Sequence, residues 1–384
     1  MIGVCIKYAH ENYGGMLQAY ATISLLEKLG IEYELIRYDK SHSLSFKIKA
    51  LPRIFNSVFL NDKVEILKKK IGKEKHPEFA KNDAIRMQAF HDFVSEKFVN
   101  LAPVSIGYKQ LCVDSLKYSA VVTGSDQLWS PAGLSTNFFN LMFVDDSVRK
   151  ISYASSFGVS NIPWYQKKRT RQYLNRLDYI SMRENRGAEI VKELTGKNVP
   201  VVVDPVMMFT ASEWDKLIPQ KQVTDGEYIF AYFLGDNQEF RQAVKNLSKQ
   251  TGLKIVALRH MDQYVPADEQ FGDEAPYNVG PVEFLNLLRN AKYVCTDSFH
   301  GSVFSIIYHK QFIVFNRYSN KSKHSKNSRI DTLCANIGVA DRRYNSNFIQ
   351  QMQASIDYSA VDRNVEILKQ EAYTYLDNAF KGIK

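Results

Sequence analysis

A chain of 384 residues is too long for one ordinary hydrophobic core and, at about 150 residues per domain, predicts two domains. Its make-up, 45% hydrophobic and 24% charged, is that of a soluble globular protein. Lys and Arg outnumber Asp and Glu by 50 to 41, which favours anionic ligands or surfaces and leaves phosphorylated metabolites, anionic lipid and nucleic acid open. The start MIGVCIKYAH lacks a leader pattern, and no run of about 18 apolar residues occurs, so neither secretion nor a membrane span is expected. Cys5, Cys112, Cys295 and Cys334 show no C-x-x-C spacing, which predicts a reducing, cytoplasmic setting and no structural metal.

Residues 2–6, IGVCI, read as a buried strand, and KYAHENYGG as a loop ending in glycines. MLQAYATISLLEKL follows with apolar residues at Leu17, Ala21, Leu25 and Leu29, a helical stripe that stops at Gly30. IEYELIRY closes a β-loop-α-β unit, the start of a parallel sheet. From about residue 41 to 82 the rhythm dissolves into a Lys-rich helical insertion, plainest as a solvated basic excursion. Phe and Leu beside Lys68, Lys69 and Lys70 also suit an amphipathic face on anionic lipid. The rhythm returns with YSAVVTGSDQLW, ISYASSFG, DYISMREN and VPVVVDP, separated by helices. Asp204-Pro205 is the expected boundary, giving domains at residues 1–205 and 206–384. YIFAYFLG, LKIVALRH, KYVCTDS and QFIVFNR repeat the alternation, so two Rossmann-like doubly wound parallel sheets facing a cleft are expected. A last helix, about residues 363–380, has no strand after it and is expected to pack outside, bridging back to the first domain.

Ligands of open parallel sheets sit beyond the carboxyl ends of the strands, which singles out few residues. After the first strand come Asn12, Gly14 and Gly15, an anion loop at a helix start or a turn without a ligand. After YSAVV come Ser125 and Asp126, leading into an exposed-looking loop from Trp129 to Pro131. Asp126 could orient a hydroxyl, act as a base or bond neighbouring amides. Arg183, just past YIS, is a bidentate clamp for carboxylate or phosphate, or a salt-bridge partner of Glu184. After KYVCT, Asp297 or Ser298 can cap a helix whose first turn holds His300, with Gly301 keeping the imidazole's surroundings open. An imidazole beside unpaired helix N–H groups meets whatever anion they attract, and its ordinary pKa suits proton transfer. Arg317, Lys321, Lys323, Lys326 and Arg329 lie in a Ser- and Asn-rich stretch of phosphate-gripping composition, and Arg259 and His260 add charge at the same predicted edge. No P-loop, H-E-x-x-H, G-x-S-x-G or cysteine-histidine cluster occurs, and nucleic acid is not an expected partner.

Together, NYGGMLQAYA, VVTGSDQLW, ISYASSFG, SMREN, VVVDPVMM, TDSFHGSVFS and SRIDTLCANIGVADR resemble, in that order, the polysaccharide pyruvyl transferase family, from Asn12 to Arg342. The Lys-rich insertion and the C-terminal tail match only loosely. The resemblance implies a GT-B-like pair of domains, phosphoenolpyruvate as donor on the second domain, and a saccharide acceptor on the first. The product implied is a pyruvate ketal, with phosphate released and no cofactor. The family's arginine and its H-G histidine fall on Arg183 and His300, while Ser298 stands where many members carry an arginine. That leaves Arg259 or Lys323, Lys326 and Arg329 to supply the charge. A nucleotide-sugar glycosyltransferase of the same shape, and a carbohydrate-binding protein without catalysis, are the competing expectations.

Overall fold

The computed structural model describes residues 1–39, 57–131, 137–261, 264–317 and 328–383. The opening of the Lys-rich segment and the lysines Lys321, Lys323 and Lys326 lie outside the described residues.

Six strands, β1 (Ile2–Cys5), β2 (Tyr33–Asp39), β3 (Leu101–Ile106), β4 (Ala120–Thr123), β5 (Arg149–Ser155) and β6 (Tyr179–Met182), form one sheet in the order β3-β2-β1-β4-β5-β6. Four more, β7 (Tyr228–Tyr232), β8 (Lys254–Ala257), β9 (Tyr293–Thr296) and β10 (Gln311–Val314), form a second in the order β10-β9-β7-β8. Every pairing is parallel. The central strands β1, β4 and β7 are buried throughout, which explains why they read as continuous apolar runs without alternation. The first sheet turns its winding direction between β1 and β4, the second between β7 and β9. Each therefore opens a crevice beyond the carboxyl ends of those two strands.

The helices that matter for the crevices are α1 (Tyr13–Lys28), α2 (Ser57–Lys75), α3 (Pro77–Lys97), α4 (Tyr108–Asp114), α5 (Lys167–Arg176) and α6 (Asn185–Thr195). In the second half α7 (Ala211–Leu217), α8 (Gln238–Thr251), α9 (Pro281–Asn290), α10 (Phe299–Ile307), α11 (Ser328–Ile337), α12 (Phe348–Gln353) and α13 (Tyr358–Ala379) follow.

Two expectations need correction. The insertion is not simply a solvated excursion ending near residue 82, because α3 continues to Lys97 and its Arg86 donates to the carbonyls of Arg259, Pro276 and Tyr277 in the second half. Lys69 lies 2.5 Å from Glu11 and 3.2 Å from Asp83, and Lys73 also pairs with Asp83. Part of the lysine run is thus committed inside the molecule, where buried Asp83 demands counter-charge. Trp129, in turn, is buried and its indole N–H donates to the Phe139 carbonyl at 3.1 Å. A Trp-Pro pair looks like a loop tip in sequence, yet this ring packs against Phe157 and Tyr173.

At the other end of the chain, the Tyr375 hydroxyl of α13 donates to the Ser152 carbonyl at 2.7 Å, and Arg149 donates to the carbonyls of Ala379 and Lys381. The last helix also packs on α11. It therefore touches both halves.

Candidate active site

The short loop between β1 and α1 explains itself residue by residue. Asn12 caps α1, its side-chain oxygen accepting from the Gly15 N–H at 2.9 Å. Tyr13 reaches into the second half, where its hydroxyl donates to the Val279 carbonyl at 2.8 Å and its ring stacks on Phe284 at 4.8 Å. A Cβ on Gly14 would lie 2.3 Å from Nδ1 of His300, and one on Gly15 2.2 Å from Nε2 of His10. The paired glycines make room for two imidazoles, one local and one from the facing domain. They serve close approach of side chains, and the Gly15 N–H is taken by Asn12.

His300 follows Ser298, whose hydroxyl accepts from the Gly301 N–H at 3.2 Å and so caps α10. Ser298 thus serves as the cap of α10. At Gly301 a Cβ would meet the Thr296 hydroxyl at 2.7 Å, so this glycine also lets α10 start tight against β9. Asp297 accepts from the Leu234 and Gly235 N–H groups at 2.7 and 2.9 Å, tying the ends of β9 and β7 together at the crevice.

Arg183 and His300 meet at one carboxylate. Asp204 Oδ2 accepts from Arg183 Nη1 at 2.7 Å, lies 3.1 Å from the Ser125 hydroxyl and 3.5 Å from His300 Nε2. That Nε2 is buried without a hydrogen-bond partner among the described residues. Arg183 Nη2 donates to Asp126 Oδ1 at 3.2 Å, and Arg329 Nη1 approaches the same oxygen at 4.0 Å. Both guanidinium groups lie against the Phe299 ring, at 4.6 and 5.7 Å from its centroid. Gln127, with its amide oxygen turned toward Arg329, accepts from both η nitrogens at 2.8 and 2.6 Å. Glu184 does not pair with Arg183; it accepts from the Ser156 hydroxyl at 2.8 Å.

Charge sets the protonation states here. Burial pushes the Asp204 carboxyl up, but His300 and Arg183 outweigh it and hold it at about 2. Burial likewise opposes Asp126, and Arg183, His300 and Arg329 drag that carboxyl well below the usual carboxylate range. Glu184 goes the other way, raised by burial against the pull of Arg183 and Arg329. His10 is pushed down to about 3, first by burial and then by Lys7, so it is a neutral imidazole at physiological pH. Two ionised carboxylates, two arginines and a neutral histidine thus surround His300.

Of the residues singled out in sequence, Ser125, Asp126, Arg183, His300 and Arg329 come together, with Gly14 beneath the imidazole. Arg259 does not join them: it donates to the Tyr277 hydroxyl at 2.7 Å and to the Glu269 carbonyl at 3.2 Å. Arg329 rather than Arg259 is the cation brought to Asp126. Lys323 and Lys326 lie outside the described residues. Strand-end position offers His10 beside Asn12 but gives no pointer to Asp204, Phe299 or Gln127. Asp204 was hidden because an Asp before Pro reads as a turn cap, which it also is: its Oδ1 accepts from the Val206 N–H at 3.1 Å.

The glycine seat makes a direct prediction. In Gly14→Ala the helical backbone tolerates the new methyl, but His300 must move, its Cβ as well as its ring, both within 2.6 Å of the added carbon. Turnover is expected to fall by about 10²-fold, as for a reacting group displaced by about an ångström. The overpacking should lower stability by only about 1–3 kcal/mol. Steady-state kinetics beside a urea titration separates the two effects.

Two parallel-sheet α/β domains make up a GT-B-like fold, and an arginine from one and a histidine from the other meet in its cleft. The fold is similar to that of UDP-GlcNAc 2-epimerase from Methanocaldococcus jannaschii, at 12% identity and a TM-score of 0.50, over 96% of this chain and 92% of that one. Weaker similarities are to UDP-GlcNAc 2-epimerase from Neisseria meningitidis (9% identity, TM-score 0.46, 97% and 99% of the two chains). The glycosyltransferase SnogD from Streptomyces nogalater gives 11% identity and a TM-score of 0.41, over 100% and 98%. No curated protein matches the chain. Residues 12–320 match the model of the polysaccharide pyruvyl transferase family, and the chain belongs to that family. It is a transferase of polysaccharide biosynthesis.

Proposed function

We propose that this enzyme moves the pyruvyl unit of phosphoenolpyruvate onto two hydroxyls of a saccharide, forming a pyruvate ketal and releasing phosphate. The observation that carries the reading is the meeting of Arg183, Arg329 and His300 around Asp204, Asp126 and Phe299. A donor with a carboxylate and a phosphate needs two cations held apart, and two arginines on one aromatic ring supply them. His300 Nε2 delivers a proton to the methylene carbon, leaving the adjacent carbon electron-poor. One saccharide hydroxyl attacks that carbon and returns its proton to the imidazole. The C–O bond to phosphate then breaks, the second hydroxyl closes the ring, and its proton leaves with the phosphate.

Asp204 orients the imidazole and holds Arg183. Asp126, kept ionised, is a weak base and orients a hydroxyl. His10, neutral, can accept a hydrogen bond beside His300 without adding positive charge. Proton transfer contributes about 10²–10⁴-fold, and stabilisation of the departing phosphate contributes more. None of these steps calls on a metal, and the donor belongs to the cytoplasm.

The test is to incubate the protein with phosphoenolpyruvate and nitrophenyl or lipid-linked sugars. Mass spectrometry should find the pyruvyl unit added to the sugar, with free phosphate in equal amount. Calorimetry showing tight binding of a nucleotide sugar and none of phosphoenolpyruvate would overturn the proposal in favour of glycosyl transfer.

A further inference from the structure

Of the apolar side chains that α2 leaves in water among the described residues, Ile66, 62% exposed, stands toward the pinned side, and the other four line up. Leu60, Val64, Leu67 and Ile71 are between 39% and 56% exposed, and their steps of four, three and four residues place them on one face of the helix. Lys68 and Lys75 stand exposed along one border of that face and Lys70 along the other. The opposite face is held by the molecule itself: Lys69 and Lys73 pair with Glu11 and Asp83, and Gly72 lies against Tyr264. A helix pinned on one side thus presents an aliphatic stripe on the other, edged by Lys68 and Lys75 and, on the far border, by Lys70 with Glu74 4.0 Å from it.

Among the described residues no helix is long and apolar enough to cross a membrane. The 19 residues of α2 span about 28 Å at ~1.5 Å each. We propose that α2 lies in the plane of an anionic lipid bilayer, its aliphatic stripe in the headgroup layer and the bordering lysines reaching to lipid phosphates. Charge favours this occupant over a second copy of the chain, which would set the same lysines against one another. Glu11 belongs to the loop that carries His10 and Asn12, so docking through α2 brings the mouth of the site to the surface. A saccharide carried on lipid would then be met there, a consequence that rests on the reaction proposed above, whereas the docking itself does not.

Flotation with vesicles of phosphatidylcholine alone and of phosphatidylcholine with 30% phosphatidylglycerol tests it without any substrate. The wild type is expected to bind the anionic vesicles at least about tenfold better, less so as salt rises. The pair Leu67→Gln with Ile71→Gln, and independently Leu60→Gln with Val64→Gln, should each lose about tenfold in partitioning, with unchanged thermal midpoints and unchanged turnover on a soluble acceptor. Equal binding to both vesicle types, or full binding by both glutamine pairs, overturns the proposal. So does a wild-type dimer in light scattering that the glutamine pairs abolish, which would give the face to a second copy.

Discussion

Replacing Arg183 with glutamine is expected to unsettle the fold before any chemistry is measured. The guanidinium is buried, and it carries hydrogen bonds to the carboxylates of both Asp204 and Asp126. Removing it leaves two acids short of counter-charge in a dry place, a change that typically destabilises by about 3–5 kcal/mol. The pH dependence identifies the cause. Asp204 has its folded pKa depressed to about 2, below its ordinary value of about 3.9, so its ionised form adds stability above pH ~4. That contribution, roughly 2–3 kcal/mol, disappears as pH falls from ~4 toward ~2. In the glutamine variant both carboxylates shift upward, and the acid limb of the unfolding midpoint should move to higher pH. Urea titrations across pH 3–7 read this out, and an unmoved acid limb would show that Arg183 does not hold the two acids ionised. Arg183→Lys keeps the charge but not the fork, so it should recover stability more fully than activity.

The second large effect belongs to His300, and it should fall chiefly on turnover. His300→Ala removes a ring whose Nε2 lies 3.5 Å from Asp204 and helps keep that carboxyl ionised, so part of the Asp204 contribution to stability is lost while Arg183 stays in place. The proposed proton donor goes with it, and kcat is expected to drop about 10²–10⁴-fold with a much smaller change in KM for phosphoenolpyruvate. Normal turnover in this variant would remove the imidazole from the mechanism. The contrast is diagnostic: Arg183 variants should move both stability and donor affinity, His300 variants chiefly the rate.

Much of this molecule could be read from its sequence. Short apolar runs alternating with helical stripes predicted two parallel sheets, because strands covered on both faces have no polar side to show. The rule that ligands gather beyond strand ends then picked out Asp126, Arg183 and His300. The reasons for several residues were less legible. Gly14 looks like any loop glycine until His300, almost three hundred residues later, is laid against it. Asp204 satisfies a local turn with one oxygen and gathers Arg183, Ser125 and His300 around the other, and only the first use leaves a local signature. Arg259 and Arg329 are equally basic in composition. What separates them is which one the folded chain brings to Asp126, a matter of tertiary approach that no window of sequence contains.

The C-terminal helix has a mechanical implication. A body tethered by a single span of chain is free to swivel, whereas one tethered at two separated points can only swing about the line through them. The chain passes between the halves after Val203 and returns along α13, which is fastened to Ser152 and to Arg149. Tyr13 and Arg86, bonded across to Val279 and to Arg259, Pro276 and Tyr277, add ties away from that line, so the swing itself is resisted and His300 is kept seated over Gly14.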